Sequence, residues 1–484
     1  MSDDVEDNFL GSLQPTNMVI AAEEANKSLH TEERATSSLE VSSDENQRQI
    51  GKKLLVLLSK EIGQGTDGTI VYEGFYENRA VAVKRILQSH IKLADKEIAN
   101  LIESVRSQNI VKYHAVERDI NFIYLALERC DCNLDELIQM HSTNSSQYEP
   151  VSTQHNKDGR LEKFKNKLGD VKLWKENNGR PSPLLQKLMR DMISGLVVLH
   201  NSHIVHRDLK PENILIIQES STICAKLSDM GISRRLSENN FSLSNHSSGY
   251  AATGWKAPEQ LLRGQQTSAM DLFSLGCILF FCITRGRHPF GDHDECVGNI
   301  EKNIKRNMYM IEDFPEALHL ISSLIRANPE QRPKANEVLH HPLFWDAEKR
   351  LSFLRDISDR VSKNSDISKV LESTADIVFD IERMCLVNVV LRWNKKVHAQ
   401  IITHILTYAK EDYKFTSVRD LLRFIGDMLN HYRQLPDDIQ ILVGSLYEGL
   451  DDYFTRRFPK LLIEVYKIVC THCTQEEHFK KYFN

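Results

Sequence analysis

The stretch His206-Arg207-Asp208-Leu209-Lys210-Pro211-Glu212-Asn213 sets a carboxylate, an amine and an amide close together along the chain. That set suits phosphoryl transfer, in which catalysis is mostly positioning and charge neutralisation. Asp208 would accept or orient the proton of an attacking hydroxyl, Lys210 would neutralise the transferring phosphoryl group, and Asn213 would hold a Mg²⁺. Asp229-Met230-Gly231 follows and offers Asp229 as the second metal ligand. Upstream, Gly63-Gln64-Gly65-Thr66-Asp67-Gly68-Thr69-Ile70-Val71 has the glycine spacing of a loop whose backbone closes over phosphates, with Val71 placed to cover an adenine. Thirteen residues later, Val81-Ala82-Val83-Lys84 sets a lysine in an apolar strand. Such a charge is costly unless it is paired. The strand would aim Lys84 at the α- and β-phosphates of a nucleotide, and Glu97 on the following segment is its natural partner. Ala257-Pro258-Glu259, Asp271 and Arg332 extend the series, with Arg332 a partner for Glu259.

These side chains need elements to hold them. Leu54–Leu58, Gly63–Glu73, Ala80–Lys84 and Phe122–Leu127 read as short strands, with a glycine-rich turn among them, and Ala94–Ser104 reads as a helix. Residues 141–182 are polar and contain Asn177-Asn178-Gly179 and Pro181-Ser182-Pro183; they read as a long insert, partly disordered, whose lysines (Lys163, Lys165, Lys167, Lys172, Lys175) suit a solvated loop better than the alternative, a binding patch. After residue 184 the pattern becomes mostly helical, Pro342-Leu343-Phe344-Trp345 closes one unit, and from Ala347 onward almost every segment has helical periodicity. The expected organisation is an acidic disordered segment at 1–50, a first domain at 56–344 and an all-helical domain at 347–482.

Composition excludes several classes. Residues 1–50 hold eleven Asp and Glu against three Lys and Arg, a net −8 that leaves +2 for the rest of a chain whose total is −6. Neither value suits a strongly basic nucleic-acid binder. Nine scattered cysteines fit a reducing compartment better than a disulfide scaffold. Cys470-Thr471-His472-Cys473 could be half a zinc site, but no second cluster lies nearby to complete about four ligands. The longest apolar run, Phe273–Ile283, is far short of the roughly 20 residues that cross a bilayer, and Asp3, Asp4, Glu6 and Asp7 sit where a signal peptide needs positive charge.

The ordered motifs from Gly63 to Arg332 resemble those of the eukaryotic protein kinase family. That resemblance implies an α+β, two-lobed fold with ATP and Mg²⁺ between the lobes. It places Ile62, Gly63, Gln64, Gly65, Thr66, Asp67, Gly68, Thr69, Ile70, Val71, Lys84 and Asn213 around the nucleotide, with Leu127 as gatekeeper and Glu128 and Cys130 in the hinge. Lys84, Glu97, Asp208 and Lys210 would be the catalytic set, and Asn213 and Asp229 the metal ligands. Met230 replaces the usual Phe and is apolar enough to pack in its place. A Lys two residues after the catalytic Asp is typical of enzymes directed at Ser and Thr. Between Asp229 and Glu259 lie Ser233, Ser237, Ser242, Ser244, Ser247, Ser248 and Thr253, candidates for autophosphorylation, with Arg207 able to pair with a phosphate added there.

The C-terminal part resembles the kinase-extension nuclease domain of the inositol-requiring enzyme family and of ribonuclease L. The carrying residues are Ser417-Val418-Arg419-Asp420-Leu421-Leu422-Arg423, Asn430-His431-Tyr432-Arg433-Gln434-Leu435-Pro436 and Tyr453-Phe454-Thr455-Arg456-Arg457-Phe458-Pro459. Ser228-Asp229-Met230-Gly231-Ile232-Ser233 and Arg350-Leu351-Ser352-Phe353-Leu354-Arg355-Asp356 are most similar to the plant form. The family's nuclease cleaves RNA through the ribose 2′-OH, with a His as general acid, a Tyr assisting and an Arg-Asn pair on the scissile phosphate. His431 and Tyr413 match the His and Tyr, whereas Gly426 and Asp427 stand at the Arg-Asn positions. Losing the Arg removes a bidentate phosphate donor, and Asp puts negative charge where a phosphate must approach. Ser417 with Asp420 three residues on reads as a helix N-cap, and Asp427 lies one turn before His431 on one face.

The expectation is a Ser/Thr kinase of this type, linked to the unfolded-protein response, with a weak or inactive nuclease. Its implied partners are itself or full-length relatives and a protein substrate, possibly its own activation segment, with RNA doubtful. An active bifunctional kinase/endoribonuclease and an inactive regulatory pseudoenzyme are the alternatives. Family members usually carry a lumenal sensor and a transmembrane helix ahead of the kinase; here Met1 opens an acidic segment of fifty residues, which suggests a natural shorter relative, cytoplasmic or peripheral to the endoplasmic reticulum.

Overall fold

A six-stranded antiparallel sheet in the order β1-β2-β3-β4-β6-β5 forms the N-terminal lobe of the computed structural model. The structure describes residues 46–483 except 66–67, 105–106, 143–154, 177, 232, 236–253, 292–294, 312–313, 362–364, 380–391 and 409–411. The acidic segment expected at 1–50 therefore lies almost wholly outside the described residues. The strands are β1 (Gln47–Ile50), β2 (Leu54–Gln64), β3 (Ile70–Tyr76), β4 (Arg79–Leu87), β5 (Tyr113–Arg118) and β6 (Phe122–Glu128). The sequence stretch Gly63–Glu73, read as one strand, is split: β2 ends at Gln64 and β3 begins at Ile70. Gly68 in the intervening turn has φ +74°, a conformation glycine adopts without steric cost. Val81 and Val83 of β4 are fully buried on one face, as strand alternation requires. Pairing sets Lys84 opposite Val71 on β3 and Leu125 on β6. Helix α1 (Ile91–Glu103) buries Ala94, Glu97, Asn100 and Leu101.

The second lobe is helical. Short strand β7 (Cys132–Asn133) leads into α2 (Leu134–His141), capped by a reciprocal pair: Asn133 accepts from the Glu136 N–H, and Glu136 accepts from the Asn133 N–H. The insert departs from expectation. Its residues 155–168 form a helix, α3 (His155–Leu168), and Phe164, Leu168, Leu173 and Trp174 are buried in the lobe's core. Phe164 and Leu168 are one turn apart on one face, and the Trp174 indole donates to the Cys282 carbonyl at 3.1 Å. Those few large apolar groups, not the polar average of the segment, decide its structure. Its lysines 163, 165, 167, 172 and 175 are exposed, as read from sequence.

Ser182 caps α4 (Pro183–Asn201), with Pro183 at its first position. Strand β8 (Ile204–Val205) and the hairpin of β9 (Ile214–Glu219) and β10 (Thr222–Leu227) carry the catalytic stretch; β11 (Arg234–Arg235) pairs with β8. Helix α5 (Ala269–Ile283) is the apolar run and is buried from Met270 to Ile283. Helices α6 (Val297–Arg306) and α7 (Pro315–Leu324) follow. Among the described residues no helix is long and apolar enough to cross a membrane.

The C-terminal domain has its own core, built by α8 (Ala347–Val361), α9 (Ser365–Glu372), α10 (Ala399–Tyr408), α11 (Val418–Asn430), α12 (Glu448–Arg457) and α13 (Leu461–His472). Cys473, one half of the suggested zinc pair, packs into that core, while Cys470 is exposed. The kinase-like lobes and this domain belong to one compact unit. Arg350 of α8 joins them: its guanidinium meets Glu316 of α7 at 2.6 Å, Asp451 of α12 at 3.0 Å and Thr455 at 3.2 Å, and Arg180 from the insert reaches the same Glu316 at 3.5 Å.

A histidine pair seals the same junction. The rings of His319 and His341 stack at 5.2 Å, and Tyr466 of α13 meets both edge-on at 6.0 and 5.4 Å. The Leu343 N–H donates to His341 Nδ1 at 3.1 Å, so the His341 proton sits on Nε2 and is given to His319 Nδ1 at 2.9 Å. Burial holds both imidazoles below the ordinary histidine range, His341 well below it. Lys467, Glu464 and Arg326 are the charges around His319. A folded-state pKa below the unfolded value of about 6.5 means that the unfolded chain takes up protons first, so stability present above that pH is lost as pH falls. Thermal melts should therefore show a falling midpoint from pH 7.5 to 5.5, with a shallower slope in His341→Gln; parallel slopes would remove the pair from the account.

Candidate active site

The cleft between the lobes is organised by one cation. Lys84 Nζ lies 2.8 Å from both carboxylate oxygens of Glu97 and 2.8 Å from Asp229 Oδ1. Burial disfavours the ammonium, but the two carboxylates outweigh it and hold Lys84 well above the lysine range. The charge of Lys84 in turn pulls Asp229 down to about 2. Burial pushes Glu97 up despite its partner. The ion pair inferred from spacing is thus present, and Asp229 is a third member that spacing did not reveal. Asp229 has φ +59°, outside the region a carboxylate residue normally occupies. Met230 is fully buried in the lobe's core, as its apolar side chain allows.

Asp271 fixes the catalytic stretch. Its oxygens accept from the His206 N–H and the Arg207 N–H, each at 2.8 Å, and His200 Nε2 lies at 2.9 Å. Those bonds hold Arg207 at φ +73° and turn the chain so that Asp208 follows. The His206 ring is also committed: Nε2 donates to the Ser228 carbonyl at 2.9 Å, which leaves Nδ1 to accept from the Asp208 N–H at 3.4 Å. Asp271 was noted in the sequence without a role. The signal was there: a carboxylate inside an otherwise apolar helix must be satisfied by buried donors.

Asn213 Nδ2 donates to the Asp208 carbonyl at 2.8 Å and to Asp208 Oδ2 at 3.0 Å, while Lys210 Nζ stands 3.6 Å from the same oxygen. Ser228 bonds the Asn213 carbonyl through both its N–H (3.0 Å) and its hydroxyl (2.9 Å), which fixes Asn213 beside the segment that carries Asp229. With the amide nitrogen committed to Asp208, the Asn213 oxygen remains as an acceptor. Together with the Asp229 carboxylate it makes a set of hard oxygen donors, which fits Mg²⁺.

In the glycine-rich loop the Gly65 N–H donates to the Thr69 carbonyl at 2.8 Å; Thr66 and Asp67 lie outside the described residues. Ile62, Gly63, Ile70 and Val71 are partly buried, Thr69 is buried and Gln64 is exposed. In the hinge, Glu128 directs its carboxylate to Lys226 and Lys112, and the Cys130 thiol, pushed up by burial, sits 3.9 Å from the Glu128 carbonyl. Leu127 packs against the core from the edge of the cleft. Glu259 and Arg332 pair through two bonds of 2.6 and 2.9 Å, as their positions suggested. Of the seven candidate phosphorylation sites only Ser233 is described, and it is fully buried with its hydroxyl on the His206 carbonyl; a kinase cannot reach it there.

The C-terminal candidates meet differently. Tyr413 packs against Trp393 and Phe424, with the Arg423 guanidinium 4.4 Å over its ring. Its hydroxyl donates to Asp427 Oδ2 at 2.5 Å, and burial together with that carboxylate pushes the phenol far up. His431 ends α11: it is exposed, its N–H bonds the Asp427 carbonyl at 3.0 Å, and Nδ1 faces Gln434 at 3.1 Å. So Asp427 connects the two candidates, touching the Tyr413 hydroxyl and lying one turn before His431. Ser417 caps α11 by accepting from the Asp420 N–H at 3.1 Å, but Asp420 does not return the bond; its carboxylate takes the Lys414 N–H at 2.6 Å. Residues 409–411, just before Tyr413, lie outside the described residues.

Comparison with known proteins agrees with both halves. The protein kinase domain family matches residues 57–344, and ribonuclease 2-5A matches residues 350–483. Serine/threonine-protein kinase/endoribonuclease IRE1a of Arabidopsis thaliana is 48% identical over 447 residues, 90% of this chain and 51% of the relative. The rice protein of the same description, IRE1, is 46% identical over 449 residues, 93% of this chain and 47% of the relative. The chain thus spans about half the length of these curated relatives. An Arabidopsis protein described as inactive serine/threonine-protein kinase/endoribonuclease IRE1-like is 37% identical over 474 residues, 91% of this chain and 81% of the relative.

Proposed function

Because the chain belongs to the IRE1 family of serine/threonine-protein kinase/endoribonucleases, we propose that it moves the γ-phosphate of ATP to Ser and Thr hydroxyls, its own activation segment included, and cleaves RNA weakly or not at all. The observation that carries the kinase half is the joined set of Lys84, Glu97 and Asp229 with Asp208, Lys210 and Asn213 close by. Lys84 holds the α- and β-phosphates, and Glu97 keeps its ammonium in place. Asp208 takes up or orients the proton of the incoming hydroxyl, and Lys210 balances charge on the phosphoryl group in flight. Asn213 and Asp229 would hold Mg²⁺, which supplies charge neutralisation on the phosphates.

The nuclease half rests on Asp427. Its carboxylate occupies the Tyr413 hydroxyl and puts a negative charge beside the place a phosphodiester must reach, and Gly426 offers no guanidinium to offset it. The alternative of a regulatory pseudoenzyme is favoured by the description of one relative as inactive. The intact Lys84, Asp208, Asn213 and Asp229 weigh against it. The family relationship supports the further reading that the protein serves the unfolded-protein response, is cytoplasmic or peripheral to the endoplasmic reticulum, and pairs with itself or with longer relatives.

Incubating the purified chain with Mg-ATP should place phosphate within residues 237–253, read by mass spectrometry, and none on buried Ser233. An unmodified segment, or phosphate on Ser233, would count against this reading.

A further inference from the structure

Lys226 is an almost fully buried cation beside the nucleotide cleft, its side chain 1% exposed. It sits on β10, in the sequence Ala225-Lys226-Leu227, three residues before Asp229. A lone ammonium there would be costly. It is instead surrounded: Nζ lies 3.2 Å from both oxygens of Glu128 and 3.2 Å from Glu219 Oε1. Lys112 completes the cluster, its N–H donating to Glu128 at 3.2 Å and its ammonium standing 3.3 Å from Glu128 and 3.7 Å from Glu219. The Glu128 N–H is held as well, by the Lys112 carbonyl at 2.9 Å. Two cations and two carboxylates thus form one closed group around the first residue of the hinge.

We infer that Lys226 is a positioning residue for the nucleotide: it ties the hinge at Glu128 to the strand that leads to the metal ligand Asp229. This inference rests on the kinase reading above. Adenine would be recognised by main-chain groups around Glu128 and Cys130, and those groups cannot move while the Glu128 side chain is held from below. Phosphates and metal would be held by Lys84, Asn213 and Asp229. Strand β10 connects the two ends, because its residue 226 grips the hinge and its next turn of chain supplies the carboxylate. The hinge is further fixed to the same lobe by the Asp131 N–H on the Ile216 carbonyl at 2.8 Å and by Asp131 Oδ2 accepting the Gln218 N–H at 2.8 Å. Those bonds hold Asp131, however, and leave the direction of Glu128 to Lys226 and Lys112.

The test is steady-state phosphoryl transfer by the full chain over a range of Mg-ATP concentrations. Lys226→Met should raise KM for ATP about tenfold with kcat within about twofold; Lys226→Arg, which keeps the charge, should restore most of the loss. Glu128→Gln removes the grip from the other side and should raise KM in the same way, so the inference stays testable if Lys226→Met does not fold. A purely structural role would instead reduce the active fraction, lowering kcat with KM unchanged. That split, or unchanged kinetics in both variants, would overturn the inference. An unsubstituted chain that neither turns over nor binds Mg-ATP would sink the kinase reading itself and this inference with it.

Discussion

Asp208→Ala should lower the rate of γ-phosphate transfer by about 10²- to 10⁴-fold, the range spanned by a positioned acid–base group, while Mg-ATP still raises the melting temperature. The separation of the two readouts follows from the geometry. Asp208 touches Asn213 and lies near Lys210, but it makes none of the bonds that hold Lys84, Glu97 and Asp229 together. Its backbone stays in place because Asp271 grips the two preceding N–H groups, not the Asp208 side chain. Nucleotide would therefore bind and wait. An Asp208→Ala protein that phosphorylates itself as fast as the parent would remove Asp208 from the chemistry; one that no longer binds nucleotide would show that its role is structural.

The second large effect is a gain. Gly426→Arg with Asp427→Asn should raise cleavage of a stem-loop RNA by about 10²- to 10³-fold, the scale of restoring one preorganised donor at a developing charge. Three changes act together. The Tyr413 hydroxyl loses the carboxylate that now holds it, the negative charge beside His431 disappears, and a guanidinium becomes available to the phosphate. The helix has room for the first side-chain carbon: a Cβ on buried Gly426 would meet only Arg355 Cγ, at an ordinary 3.7 Å, and replacing a mid-helix glycine gains up to about 1 kcal/mol. Further substitution of His431→Ala should abolish the gained activity. Cleavage that stays at the parent's level would mean that the domain is disabled elsewhere.

What could be read from sequence, and what could not, divides by the distance between partners. Asp208, Lys210 and Asn213 are neighbours in the chain, so their joint chemistry was legible before any fold was known. The Lys84–Glu97 pair needed only one strand and the next helix. The Glu128–Lys226 contact spans 98 residues and Arg350–Asp451 spans 101, and in each case one member is an ordinary-looking cation, Lys226 among apolar residues and Arg350 among other charges. Its burial was the missing fact. The insert shows the opposite error: its polar average suggested a loose segment, but a few apolar residues, Phe164, Leu168, Leu173 and Trp174, anchor it. At the C-terminal site the replacement by Gly426 and Asp427 was visible, whereas the capture of the Tyr413 hydroxyl by Asp427 was not. That contact requires the loop before α11 to fold back over the helix.

The central proposal pairs an active kinase with a nuclease that is weak or inactive. One preparation of the purified, unsubstituted chain, incubated with Mg-ATP and a stem-loop RNA, tests both halves together. The predicted result is phosphate on the protein and intact RNA. Efficient RNA cleavage that is lost in His431→Ala, with no phosphate incorporated, would contradict it.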